Sequence, residues 1–202
     1  MKRNALFSWA VTVICTLSAP FAFAQAPAGD AKAGAQKVQM CQGCHGIPGW
    51  RTAFPEVYHV PKIAGQHPQY FVNALKAYKS GERSHPSMRA IAASLSDKDM
   101  ADLAAYYATD AKPATSADAA GLPEAGKTCV ACHGANGVSA DPNNPHLAGQ
   151  WRDYIEKALR DYKSGERKNA IMGGFAKALS RQDIENLAKH FSSQPAVVGT
   201  KY

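Results

Sequence analysis

The sequence has few cysteines, and after removal of its N-terminal segment none stands outside two short motifs. It contains five, of which four belong to two Cys-x-x-Cys-His segments and one, Cys15, lies near the N-terminus. We therefore expect neither a disulfide framework nor a separate thiol nucleophile. Basic runs interleaved with aromatic residues are also missing, which argues against a nucleic-acid partner. The formal net charge of +7 is modest and indicates solubility only.

The first 24 residues have the organisation of a secretory signal peptide. Lys2 and Arg3 precede an apolar run over residues 5–17, and Ala22-Phe23-Ala24 forms a small-x-small cleavage site. An uncleaved membrane anchor is the alternative, but this run is shorter than the ~20 residues of a spanning helix, and Pro20 interrupts its end. We predict cleavage after residue 24 and export to a bacterial periplasm.

The two Cys-x-x-Cys-His segments have the spacing for covalent attachment of haem c. In such a site the two thiols form thioethers with the haem vinyl groups, and the adjacent histidine is the proximal iron ligand. A Cys-x-x-C pair alone could instead hold zinc or form a redox disulfide, but a histidine directly follows each pair here. We therefore predict two haem c groups, attached to Cys41, Cys44, Cys129 and Cys132, with His45 and His133 as proximal ligands.

A long internal repeat connects the two motifs. Residues 61–66 recur as residues 145–150, and residues 74–83 recur as residues 158–167, each offset by 84, whereas the haem motifs are offset by 88. The first half therefore has four additional residues between its haem motif and Pro61. We predict domains over residues 25–110 and 122–202, joined by an Ala-, Pro- and Ser-rich linker over residues 111–121.

The apolar periodicity in both halves is helical, and no segment has a convincing strand pattern. We predict an all-α fold with helices ended by Gly81 and Gly165 and later helices that begin at Ser96 and Ser180. Short helices at the haem motifs complete each set. The apolar residues of the four longer stripes are Phe71, Ala74, Leu75 and Tyr78; Met100, Leu103 and Tyr107; Trp151, Ile155, Leu159 and Tyr162; and Ile184, Leu187 and Phe191.

The sixth iron ligand separates an electron carrier from an enzyme, because catalysis at haem needs an open or exchangeable position. Met88 and Met172 occupy matched positions in the repeat, and we predict that they are the distal ligands. Gap-filling core methionines are the alternative interpretation. Three histidines are rival ligands: His85 in the first half, and His146 and His190 in the second.

These repeated segments together resemble the dihaem cytochrome c4 family over nearly the whole chain after residue 24. The resemblance implies two tandem class I cytochrome c folds, related by a pseudo-twofold axis, with haem propionates near their interface. By analogy with class I cytochromes, the carbonyls of Pro61 and Pro145 would accept hydrogen bonds from Nδ1 of His45 and His133.

The same resemblance implies electron transfer rather than catalysis, from a quinol-cytochrome c reductase to a cbb3-type terminal oxidase. Nothing in the sequence indicates a homo-oligomer, so we expect a monomer, with peripheral membrane association left open. Two alternatives stay open as well. One is a dihaem subunit of a dehydrogenase such as flavocytochrome c sulfide dehydrogenase, and the other is a dihaem oxidoreductase such as a thiosulfate dehydrogenase or peroxidase.

The loop over residues 46–60 is where the two halves differ most. The second half has only the short Gly134–Gly137 turn at this place, whereas the first has a longer, more aromatic segment. One hypothesis is that this loop covers the first haem and places Arg51 near a propionate. The other is that the loop packs its own aromatic residues.

Overall fold

The computed structural model describes residues 28–109 and 121–202, and each of these parts is a small helical bundle. The predicted signal peptide, residues 1–24, and the predicted linker, residues 111–121 except Gly121, lie outside the described residues. No helix within the described ranges is long and apolar enough to cross a membrane.

Helices account for nearly all the regular structure, as the periodicity predicted. The first part contains α1 (Ala31–Ala35), α2 (Gln39–His45), β1 (Arg51–Thr52), β2 (Tyr58–His59), α3 (Pro68–Ser80), α4 (Pro86–Ser94) and α5 (Asp97–Ala108). The second contains a 3-10 turn (Glu124–Gly126), α6 (Val130–His133), α7 (Arg152–Ser164), α8 (Ala170–Ala178) and α9 (Arg181–Ser192). Helix α3 packs against α4 and α5, and α7 packs against α8 and α9 in the same way.

Local capping explains where these helices begin and end. The Ser96 hydroxyl accepts from the Asp99 amide, and the Asp99 carboxylate accepts from the Ser96 amide, so a capping box starts α5. The equivalent box of Ser180 starts α9. Gly81 ends α3 with φ of +83°, a left-handed conformation that favours glycine. The helix boundaries predicted at these residues are confirmed.

Each bundle has its own apolar core. In the first, Met100, Leu103 and Tyr107 of α5 are fully buried and pack with Phe71 of α3. In the second, Leu187 and Phe191 are the large buried side chains, packed with Ile155. Most residues of the predicted stripes therefore face the cores, but Trp151 stacks on His59 of the first domain instead. Met100 is a core methionine.

The prediction that no segment forms a strand is wrong for a small part of the 46–60 loop. Strands β1 and β2 pair antiparallel there, with Arg51 opposite His59 and Thr52 opposite Tyr58. Each strand has two residues, which is too short for the alternation of apolar and polar residues that identifies a strand in a sequence. The fold class remains all-α.

The two bundles meet through contacts that repeat across a pseudo-twofold relation. The Gln66 side chain donates to the carbonyl of His146 (3.0 Å) and accepts from its amide (2.8 Å). Gln150, its repeat equivalent, makes the same pair of bonds with the backbone of Lys62, at 2.9 and 3.0 Å. Each amide side chain satisfies one backbone donor and one backbone acceptor of the other domain. These bonds therefore favour one relative position of the two domains.

A pair of histidines lies beside these glutamines. The rings of His67 and His146 lie against each other across the interface, with centroids 3.9 Å apart and planes tilted by 33°. The Ser139 amide donates to Nδ1 of His146 (3.2 Å), so this nitrogen must be unprotonated. Burial, together with the neighbouring His67 ring, lowers the pKa of His146 to about 4.

We expect this pKa to make the free energy of unfolding fall as the pH is lowered from about 6.5 to 4. In that range the unfolded chain binds a proton at His146 and the folded protein does not, so acid favours unfolding. His146→Asn keeps an acceptor for Ser139 but cannot titrate. Denaturant unfolding at several pH values should show that, as the pH falls, this variant loses about 1–2 kcal/mol less unfolding free energy than the wild type. This difference is smaller than the whole pKa shift would give, because water screens part of the ring. Equal losses would contradict the assignment.

Candidate haem sites

One cavity of about 530 Å³ runs between the two bundles. The residues predicted to hold haem from both halves of the sequence border it together. They are Cys41, Cys44, His45, Met88, Cys129, Cys132, His133 and Met172. Residues more than 80 positions apart in sequence thus meet at one continuous space.

The two histidines predicted as proximal ligands end short helices, and each is held by a proline carbonyl. His45 ends α2, and its Nδ1 donates to the Pro61 carbonyl at 2.8 Å. His133 ends α6, and its Nδ1 donates to the Pro145 carbonyl at 3.1 Å. Both expected bonds are confirmed. They fix the orientation of each ring and leave Nε2 as the nitrogen that could bind a metal.

Burial lowers the pKa of both His45 and His133, although the proline carbonyls act in the opposite direction. Both rings are therefore neutral at physiological pH. A neutral imidazole with its Nδ1 proton engaged is the form that binds a metal through Nε2. The arrangement suits axial ligation of a haem iron.

The four cysteines form no disulfide in the described residues. Cys41 and Cys44 stand three residues apart in α2, so they lie on the same face of the helix. Burial raises the pKa of Cys41 to about 11 and also raises that of Cys129. Among the described residues, no three or more His, Cys, Asp or Glu side chains form a group that could hold a metal ion, which disfavours a zinc site.

The two methionines stand at equivalent places in equivalent helices. Met88 is the third residue of α4, and its amide donates to Nδ1 of the N-cap residue His85 at 3.3 Å. Met172 is the third residue of α8, and its amide donates to the side chain of the N-cap Asn169 at 2.9 Å. Helix capping thus fixes the backbone of each methionine beside the cavity.

The three rival histidines have other bonding partners. His85 caps α4, and burial, with nearby Lys157 and Arg83, lowers its pKa and keeps it the neutral acceptor that a cap requires. His146 accepts from the Ser139 amide, and Nε2 of His190 bonds the Ala135 carbonyl at 2.9 Å. These bonds favour the methionines as distal ligands.

Two arginines lie buried where the domains meet, and they were not predicted as site residues. Arg83 and Arg167 pair as an isolated antiparallel β-bridge and both border the cavity. Arg83 donates to the Tyr154 hydroxyl at 2.9 Å, and Arg167 donates to the Tyr70 hydroxyl at 2.7 Å. Each guanidinium also lies over a tyrosine of its own domain, at 4.4 Å from the ring centre of Tyr78 and 4.5 Å from that of Tyr162.

The potential around these arginines is positive. Burial alone would raise the pKa of Tyr70, yet the guanidinium groups of Arg167 and Arg83 lower it below its usual value. Among the described residues, no carboxylate lies within ion-pair distance of either arginine. The buried Nε of Arg167 also has no hydrogen-bond partner there. Buried charges are normally paired, so this region is suited to an anion.

The 46–60 loop borders the cavity and also reaches the second domain. Its Trp50 and Arg51 border the cavity, which agrees with the covering hypothesis. Its His59 donates from Nδ1 to Asp153 of α7 (2.7 Å) and stacks on Trp151. Arg51 lies 4.0 Å from the same Asp153 carboxylate, so it already has an anionic neighbour. These contacts with the second domain were foreseen by neither hypothesis.

The sequence model of the family described as Cytochrome c matches residues 31–109 and 121–194. Cytochrome c4 of Pseudomonas aeruginosa is 36% identical over 180 residues, which cover 81% of this chain and 88% of that protein. The chain belongs to the cytochrome c4 family. Two covalently bound haem c groups, one for each cytochrome c domain, are therefore part of this cytochrome.

The structure of this cytochrome agrees with that of a relative. The crystal structure of reduced recombinant cytochrome c4 from Pseudomonas stutzeri superposes with a TM-score of 0.67 at 34% identity and covers 83% of this chain and all of that one. A protein named thiosulfate dehydrogenase electron acceptor, from Stutzerimonas stutzeri, is 33% identical over 76% of this chain and 78% of its own length.

The residues of this cytochrome fit two haems. The cavity brings both haem-binding motifs and both methionines together, and neutral proximal imidazoles are oriented beside it. Within the described ranges, the arginine pair at the domain interface has no carboxylate partner. Haem propionates are carboxylates and would provide that negative charge. The arginines end the repeated Tyr-Lys-Ser-Gly-Glu-Arg segments, so duplication was the only sign of them in the sequence.

Proposed function

We propose that this protein is a periplasmic electron carrier in which His45 and Met88 ligate one haem and His133 and Met172 ligate the other. Cys41 and Cys44, and Cys129 and Cys132, form the thioethers. Each haem, when bound, supplies one-electron iron chemistry. The observation that carries the proposal is the matched pair of sites, in which a proline carbonyl orients each histidine and a side-chain cap fixes each methionine helix.

These residues serve electron transfer better than catalysis. With Met88 and Met172 as distal ligands, their thioethers would occupy both distal positions and favour the reduced state, which would leave no position for a substrate on iron. The three rival histidines have hydrogen-bond partners elsewhere in the structure, which supports the methionines as the distal ligands. An iron whose ligands do not exchange would suit electron transfer through the haem edge to a partner that binds only transiently.

We further propose that the donor is a quinol-cytochrome c reductase and the acceptor a cbb3-type terminal oxidase. A second candidate is the role of electron acceptor for a thiosulfate dehydrogenase, because a relative at 33% identity has that name. In both cases the protein accepts electrons from an enzyme that acts as its donor. The two candidates differ only in the identity of that donor.

The test is a set of reduction and oxidation rates measured by stopped-flow absorbance on the purified protein with both haems. We expect the oxidised protein to be reduced by quinol only when the reductase is present, and then to be reoxidised by the oxidase. Reduction by thiosulfate only when thiosulfate dehydrogenase is present would favour the second candidate. Turnover of thiosulfate or peroxide by the protein alone would make it an enzyme and would overturn the proposal.

A further inference from the structure

Residues 197–202 leave the second domain and bind the first; we name them the crossover segment. Val197 and Val198 are buried, and the Val197 amide donates to the Ala148 carbonyl at 3.2 Å. The next residue, Gly199, donates from its amide to the carbonyl of Ala64 at 2.9 Å. Ala64 and Ala148 are equivalent in the repeat, so the segment connects the same point of both domains.

The crossover segment replaces a contact that the second domain makes within itself. There, the amides of Leu147 and Ala148 both donate to the carbonyl of Gly137, at 2.7 and 3.1 Å. In the first domain, the equivalent amides of Ile63 and Ala64 donate to the carbonyl of Gly199, at 3.1 and 3.0 Å. In the second domain this pair of amides therefore bonds to a carbonyl of its own domain. In the first domain the equivalent pair bonds to a carbonyl that the second domain supplies.

The 46–60 loop explains this exchange of acceptors. In the second domain the short turn at Gly137 returns directly to the segment before Ala148, whereas the longer loop of the first domain forms a hairpin that binds α7. The crossover segment lies in the space beside it. A Cβ added at Gly46 would stand 3.1 Å from the carbonyl of Lys201, so the segment passes next to the residue that follows His45.

The far end of the crossover segment is also anchored. The Lys201 ammonium binds the carbonyl of Tyr106 (3.0 Å) and lies over its ring, 4.1 Å from the ring centre. The Tyr106 hydroxyl donates in return to the carbonyl of Tyr202 at 2.9 Å. Tyr106 belongs to α5, so the segment is held against the first domain at Gly199 and again at Lys201 and Tyr202.

We propose that the crossover segment is a positioning element for the haem of the first domain. It holds Ile63 and Ala64, which follow Pro61 closely, and the Pro61 carbonyl orients the His45 ring. The second domain thereby helps to set the electronic properties of the first haem, while the second haem depends on Gly137 of its own domain. The inference rests on the proposed role of His45 as proximal ligand.

The test compares the haem-loaded wild type with a chain that ends at Val198, which keeps the two buried valines. In the reduced protein, NMR measures the hydrogen exchange rate of the Nδ1–H of each proximal histidine. We expect this rate to rise about tenfold for His45, as follows from the loss of backbone hydrogen bonds that hold Pro61 in place. We expect no change for His133, and a shift in only one of the two reduction potentials.

Two further variants keep the test decisive. Gly199→Pro retains the whole chain but lacks the amide that donates to Ala64, so it should affect His45 in the same direction. Gly137→Ala is the mirror case, because its φ of +78° and a Cβ 2.8 Å from the Ala148 amide would disturb the second domain, and it should affect His133 only.

An unchanged His45 rate in both crossover variants, or an equal rise at both histidines, would overturn the positioning role. The sulfur-to-iron absorption of the oxidised protein is measured on the same samples and tests the methionine ligands separately. Intact absorption from both haems with an unchanged His45 would reject the positioning role and leave the proposed ligands standing.

Discussion

Met88→Ala and Met172→Ala will each abolish the sulfur-to-iron charge-transfer absorption of one haem and leave that of the other. Each methionine is the third residue of a capped helix beside the shared cavity, so truncation removes the thioether without moving the helix start. Loss of a thioether ligand lowers the reduction potential, and we expect a fall on the order of 0.2 V within the ~0.8 V range that axial ligands span. Optical spectra of the oxidised protein and a redox titration measure both effects.

Met100→Leu is the matched control for these variants. Met100 is fully buried in α5 and does not border the cavity, so this change alters packing while leaving iron ligation intact. It should cost about 1 kcal/mol of unfolding free energy and leave both absorption bands in place. The ligand assignment would be refuted for any haem whose band survives its own methionine variant.

Arg167→Leu will lower the free energy of unfolding of the haem-loaded protein by about 2–4 kcal/mol. The change removes the bond to Tyr70, the contact with the Tyr162 ring and a buried cation beside the cavity. It should also lower at least one reduction potential by roughly 50–100 mV, the Coulomb effect of one charge about 10 Å away at an effective dielectric constant near 20. Chemical denaturation and redox titration are the measurements.

The change in unfolding free energy caused by Arg167→Leu decides whether an anion lies beside the arginines. Without a propionate, Arg83 and Arg167 only repel each other, and removal of one charge would relieve that repulsion and offset the lost contacts. Tyr70→Phe is the matched control, since it removes the hydrogen bond of Arg167 but keeps the charge, and it should cost about 1 kcal/mol with unchanged potentials. Equal effects of the two variants would show that the arginine serves only the tyrosine contact.

The features that could be predicted are those that depend on neighbours in sequence. The capping boxes at Ser96 and Ser180 and the glycines that end α3 and α7 act within one helical turn, so residue order is enough to place them. The proline carbonyls that hold His45 and His133 lie within 16 residues of their partners and recur in both halves. Resemblance to a family with the same repeat made them recognisable.

The features that were missed join residues that are distant in sequence. Arg83 and Tyr154 are 71 positions apart, and His59 and Asp153 are 94 apart. Such pairs leave no periodicity, and a repeated arginine has the same appearance whether its side chain is in water or buried. The strands of the 46–60 loop were missed for a different reason, because two residues are too few to show alternation.

By itself, the sequence determined that this protein binds two haems in two similar helical domains, because motif spacing, duplication and helical periodicity are properties of residue order. Only the tertiary structure decided how the domains depend on each other. Arg83 of the first domain and Arg167 of the second border the same cavity. Through the crossover segment, Gly199 of the second domain accepts two backbone hydrogen bonds from the first. Buried groups must find hydrogen-bond partners wherever the folded chain supplies them, and which partner that is depends on the packing of the whole chain.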